Sequence, residues 1–136
     1  MKSDAVTERI RPLLEASGWS VERGKRTSDK VHRPVLFGDN GAPIVKYEID
    51  GWHPIHKAVL EIESGRAIQG NAVYRDLIRT SLIQDAEFLV LGVRTHYSYG
   101  NVKDQNDYEK TRDQIDAIFA SGRLNLPFRG ILLLGW

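Results

Sequence analysis

The sequence predicts an α/β protein, a three-layer α/β/α sandwich around a mixed central sheet with elements in the order αβββαβαβ. Three observations predict it. Apolar residues recur at helical spacing near the N-terminus and again after Gly65. Between Val35 and Glu63 the spacing changes to period two, broken by turn signals. Two wholly apolar runs, EFLVLGV and RGILLLGW, come late in the chain, each preceded by a helical stretch. At 136 residues, folding buries roughly 68% of the surface that the unfolded chain exposes. One domain spanning 1–136 is therefore expected.

Val6, Ile10, Leu13 and Leu14 define an amphipathic helix from Ser3 to Ser17, with Ser3 as N-cap and Gly18 as the left-handed residue that ends it. VERGKRTSDKVHRP follows as an exposed basic connection. VLF and APIVKYEID flank GDNG, a hairpin signal because Asn and Gly tolerate positive φ. GWHPIH then turns the chain into KAVLEIE, so three consecutive strands form a meander. Beyond Gly65, a helix places Val73, Tyr74, Leu77, Ile78 and Ser81 inward, with Arg75 and Arg79 on the solvated face. EFLVLGV reads as a strand covered on both sides. A helix over 107–121 is capped by Asn106 with Glu109, directs Ile115, Ile118 and Phe119 inward and stops at Gly122. RGILLLGW closes the sheet as a buried strand.

The composition excludes several chemistries. With no cysteine, neither a thiol nucleophile nor a thiolate zinc site can form. No apolar run reaches the ~20 residues of a membrane span, and MKSDAVTERI lacks a secretory apolar core, so a cytoplasmic location without membrane association is expected. A net charge of +1 gives no bulk attraction for nucleic acid. Local clustering of Lys25, Arg26, Lys30 and Arg33 could still grip phosphates, as well as serve as a solvated loop. His53 and His56 are three residues apart without further zinc ligands, and no Gly-Lys-Ser/Thr ending marks a P-loop. Tyr97 and Tyr99 fit an aromatic turn or a stacking surface, and Trp136 fits a dimer edge.

Acids inside a core-like segment need a reason. Glu61 and Glu63 share one face of a strand, about 7 Å apart. Asp50 ends the preceding strand where a hairpin brings it beside them, and Glu48 lies one pleat away. Such like charges repel unless a cation sits among them, and oxygen ligands suit Mg²⁺. Glu-Ile-Glu alone also fits a solvent-facing edge strand. The register of Asp50, and the helix and apolar strand that follow, favour a metal site.

Asp50, ten residues, then Glu61-Ile62-Glu63 resembles the PD-(D/E)XK restriction-endonuclease-like nucleases. Glu63 stands where that family usually has Lys. This departure resembles the BamHI/BglII branch of type II restriction endonucleases, as does the run into a Gly and an Asp-Leu pair in LEIESGRAIQGNAVYRDL. The resemblance implies Mg²⁺-dependent DNA cleavage, with Mn²⁺ able to substitute and Asp50 and Glu61 as ligands. It also implies roles for the Ile62 carbonyl and Glu48 at the metal, for Glu63 in orienting or deprotonating water, and for Arg66 in offsetting charge. A homodimer follows by analogy. The small size implies weakly specific or structure-selective cleavage, or targeting by a partner protein. Two rivals stand beside it: a nuclease-fold DNA- or protein-binding module without catalysis, and a metal-dependent enzyme acting on a non-nucleic phosphate ester.

Overall fold

Helix α1 (Ser3–Ala16) ends as its sequence dictates: Gly18 takes φ +94°, and the N–H groups of Gly18 and Trp19 donate to the carbonyls of Glu15 and Leu14 at 3.1 and 3.0 Å. Its start lies one residue earlier than expected, with Lys2 in the cap position. Val6, Ile10 and Leu14 are half-buried, but Leu13 is exposed. The computed structural model describes residues 2–64, 67 and 71–136.

The strands are β1 (Ser20–Val21), β2 (Val31–Phe37), β3 (Pro43–Ile49), β4 (Gly51–His53), β5 (Ala58–Glu63), β6 (Phe88–Val93), β7 (Tyr97–Tyr99), β8 (Val102–Gln105) and β9 (Gly130–Gly135). Helices α2 (Ala72–Ser81) and α3 (Asp107–Ser121) complete a mixed α/β chain. The main sheet has five strands in the order β1-β4-β5-β6-β9. β1, β4 and β5 pair antiparallel, whereas β5, β6 and β9 run parallel. β7 and β8 form a small separate hairpin.

The expected three-strand meander is corrected. β2 and β3 pair only with each other, from Val31 opposite Ile49 to Phe37 opposite Pro43, and make a ribbon outside the main sheet. The turn between them holds Asn40 at φ 59°, as an Asn-Gly signal requires. The chain re-enters the sheet only after Asp50. At Gly51 an added Cβ would lie 3.2 Å from Leu60 Cβ and 3.4 Å from the Ser20 carbonyl. A side chain there would push β4 away from both neighbours.

Val59, Leu89, Leu91 and Val93 on the sheet meet Val73 and Leu77 of α2 and Ile115 of α3 in the main apolar core. α1 contacts β1 and β5. α2 is turned relative to its expected face: Tyr74 and Ile78 are exposed, while Asp76 and Thr80 are buried with Val73 and Leu77. α3 is capped as expected, Asn106 Oδ1 accepting the Glu109 N–H at 3.0 Å, but Phe119 faces out. β9 is an edge strand: Ile131 and Leu133 face the core, while Leu132 and Leu134 are exposed. Its second face lacks the cover that a buried strand would need.

Leu91 is wholly buried at the centre of this core. Leu91→Ala should lower the unfolding free energy by about 3 kcal/mol, measured by urea titration. A loss below about 1 kcal/mol would mean that the core does not close around β6.

Candidate active site

β4 begins opposite Leu60 at Gly51, so Ile62 has no β4 residue across from it. Asp50 fills that place: its Oδ2 accepts the Ile62 N–H at 2.7 Å. The exchange fixes the carboxylate beside Glu61 and Glu63, which leave β5 on the same face as Val59. Helix α2 brings a fourth acid, Asp76, only 2% exposed.

Asp76 and Glu63 are locked together by Arg75. The guanidinium donates through Nε to Asp76 Oδ1 at 3.0 Å and through a terminal nitrogen to Glu63 Oε1 at 2.8 Å. Asp76 Oδ2 is buried without a hydrogen-bond partner. Across the opening, Lys30 pairs with Glu22 at the edge of β1. Arg79 donates to the Glu48 carbonyl at 3.3 Å and lies 5.0 Å from the centre of the Tyr47 ring.

These groups line an open cleft of about 260 Å³ in which six carboxyls (Glu22, Glu48, Asp50, Glu61, Glu63, Asp76) face three cations (Lys30, Arg75, Arg79). That space equals roughly eight water volumes, room for a phosphate group and a hydrated ion. The excess of acid is visible in the titration of the site. Burial, then the charge of Glu22, pushes Asp50 up to about 7 against the opposing Ile62 hydrogen bond and Lys30. Burial, then the neighbouring Asp76 carboxylate, pushes Glu63 up to about 8, with Arg75 opposing. Glu61 is driven well above the carboxylate range by burial, then by Asp50 and Asp76. Burial is the first cause for all three, and the neighbouring carboxylates add to it.

The donor set fits a hard divalent cation: every candidate ligand is a carboxylate oxygen, and Asp76 Oδ2 lacks any other partner. Among the described residues, no three His, Asp or Glu side chains already stand in ligating geometry. An entering ion would have to draw them together.

The structure thus brings Asp50, Glu61, Glu63 and Glu48 to one cleft. Glu48 is its most exposed member of these four and also faces His32 at 3.6 Å. Ile62 contributes its N–H to Asp50, as above. Arg66 lies outside the described residues. The basic segment divides. Lys30 enters the cleft, Lys25 is exposed and 3.6 Å from Asp4, and Arg26 is exposed. Arg33 is turned inward, paired with Asp85 and stacked 4.2 Å over Trp52, so it is not a free phosphate contact. Arg75 and Arg79, expected to be solvated, are instead tied to the site. His53 is buried, its Nε2–H donating to the Ser17 carbonyl at 2.9 Å and its Nδ1 accepting the His56 N–H. It serves the α1 terminus rather than a metal. Tyr97 lies 5.4 Å from Arg94, which also sits 5.0 Å over Trp136.

Sequence reasoning cited Asp76 only within the Asp-Leu pair, without a place in the site, and missed Glu22. A signal for Asp76 existed, because it falls within the stripe Val73, Leu77, Thr80 and a lone carboxylate in an apolar stripe demands a partner. Glu22 carried none. No family model, curated protein or solved structure matches the chain. Among the described residues, no helix is long and apolar enough to cross a membrane.

Proposed function

We propose that this chain is a metal-dependent DNA endonuclease of the restriction-endonuclease-like kind. In this reading α1 forms one layer against β1 and β5, and α2 and α3 form the opposite layer. The observation that carries it is the convergence of Asp50, Glu61, Glu63 and Asp76, from two strand ends and a helix, on one acid-rich cleft.

Asp50, Glu61 and Asp76 would hold Mg²⁺ or Mn²⁺, which when bound supplies a Lewis acid that offsets phosphate charge and acidifies water. Glu63, once ionised, would accept a proton from the attacking water. That water adds to phosphorus as the bond to the deoxyribose oxygen breaks, and the leaving oxygen takes a proton from solvent. Arg75 keeps Glu63 and Asp76 oriented throughout.

A gel assay tests the proposal. Purified protein should nick or cut supercoiled, linear or branched DNA in Mg²⁺ or Mn²⁺ and not in EDTA. Absence of cleavage from every substrate in both metals would refute it.

One observation favours a second reading, a nuclease-fold binding module without catalysis. Glu63 replaces the lysine of the resembled family and is clamped by Arg75 to Asp76. Calorimetry separates the two, because an abandoned site has no need to bind Mg²⁺ whereas the nuclease requires it.

A further inference from the structure

We infer that Lys30 is a catalytic residue whose ammonium contacts a non-bridging oxygen of the scissile phosphate, delivering from β2's entrance the positive charge that Glu63 cannot. The inference rests on the nuclease reading and deepens it by naming a group that meets the substrate.

Three cations line the cleft, and each already has a neighbour. Arg75 spends Nε on Asp76 and a terminal nitrogen on Glu63. Arg79 reaches the Glu48 carbonyl and lies over Tyr47. Lys30 differs. Its ammonium has three donors, and among the described residues its only side-chain hydrogen bond is to Glu22. Two donors remain for a ligand.

Lys30 is also held in place. Its backbone N–H donates to the Thr27 carbonyl at 3.3 Å, closing the turn Thr27–Asp29 just before β2. The Lys30 and Glu22 side chains are 21% and 13% exposed, so the ion pair is sheltered and its direction fixed. Both residues line the acidic cleft and a neighbouring cleft of about 450 Å³ between α1 and the segment 22–30. A strand crossing from one cleft to the other would pass the ammonium. Glu22, then Asp50 and Glu48, hold the Lys30 pKa up against the effect of burial. The group therefore acts as a permanently charged donor and not as a base.

The chain has no cysteine, so Lys30→Cys places one thiol that 2-bromoethylamine converts to a lysine-like ammonium and iodoacetamide converts to a neutral adduct. Both products are checked by mass. Three quantities are measured: the single-turnover cleavage rate at saturating DNA in Mg²⁺, DNA affinity by anisotropy in Ca²⁺, and the melting temperature. Lys30→Cys should cut about 100-fold more slowly, while affinity falls less than about fivefold because one phosphate contact among several is lost. Aminoethylation should restore the rate and the neutral adduct should not. Glu22→Gln/Lys30→Cys, which leaves no stranded carboxylate, should remain as slow as Lys30→Cys.

A rate within threefold of the parent, rescue by the neutral adduct, failure of complete aminoethylation to rescue, or recovery in the double variant would each overturn the inference. The last outcome would make Lys30 only a neutraliser of Glu22. If the unsubstituted protein itself cuts no DNA, the nuclease reading fails first and this inference falls with it.

Discussion

Glu61→Gln should cut DNA at least about 1000-fold more slowly, yet melt higher than the unsubstituted protein at pH 8 in EDTA. Glu61 sits between Asp50 and Asp76, and both raise its pKa on top of its burial. Ionising it without a cation therefore costs stability, and a neutral amide of the same shape removes that cost. On the proposed nuclease reading, the same substitution also removes a charged ligand of the metal. A gain of about 5 °C corresponds to 1–2 kcal/mol for a chain of this length. Cleavage within tenfold of the parent rate would exclude Glu61 from the active site. Loss of cleavage with a lowered melting temperature would mean that Glu61 is needed for folding, and Asp50→Asn would then carry the test.

The second expectation concerns pH. Without metal, the protein should be more stable at pH 5 than at pH 8, and Mg²⁺ should close part of that gap. Asp50 and Glu63 titrate near 4 in an unfolded chain but are held up to about 7 and about 8 in the fold. The folded state thus binds more protons than the unfolded state across this window. Stability from these groups is fully present below about pH 4 and is lost as pH rises through about 8. A rise of about three units is worth on the order of 4 kcal/mol for one group, enough to lower the melting temperature by about 10 °C at pH 8. Mg²⁺ binds the ionised acids, so ten times its dissociation constant should return about 1.4 kcal/mol, and more at pH 8 than at pH 5. Differential scanning fluorimetry at both values, with EDTA or Mg²⁺, measures this. Equal melting temperatures with and without Mg²⁺ at pH 8 would rule out the cleft as a cation site.

How far the fold and site could be read depended on whether the signal was local. Period-two alternation placed Glu61 and Glu63 on one face, and Asn106 with Glu109 marked the start of α3, because both are properties of neighbouring residues. Strand periodicity does not say which strand is the partner, so it draws the β2–β3 ribbon into the main sheet. β9 read as buried because an apolar edge strand and an apolar central strand have the same composition. α2 was set about one residue out of phase, since Tyr74 and Ile78 mimic a core stripe while Asp76 and Thr80 hide one. The Lys30–Glu22 pair is a long-range product of packing, invisible until β1 closes beside Asp50, whereas Asp76 stands in the apolar stripe of α2 where a carboxylate demands a partner.

The parallel register of β5, β6 and β9 carries a consequence for how the protein assembles. β6 pairs on one side with β5 and on the other with β9, and each partner is reached only across an intervening helix. Such pairings join segments far apart in the chain, so loop closure precedes any reward and folding is slow compared with a helical bundle. β9 follows the other four sheet strands in sequence. During synthesis the edge of β6, with Leu89, Leu91 and Val93, waits unpaired until β9 emerges. The acidic cleft at β4 and β5 can form before that, so the cleft can be in place while this apolar edge is still open to association.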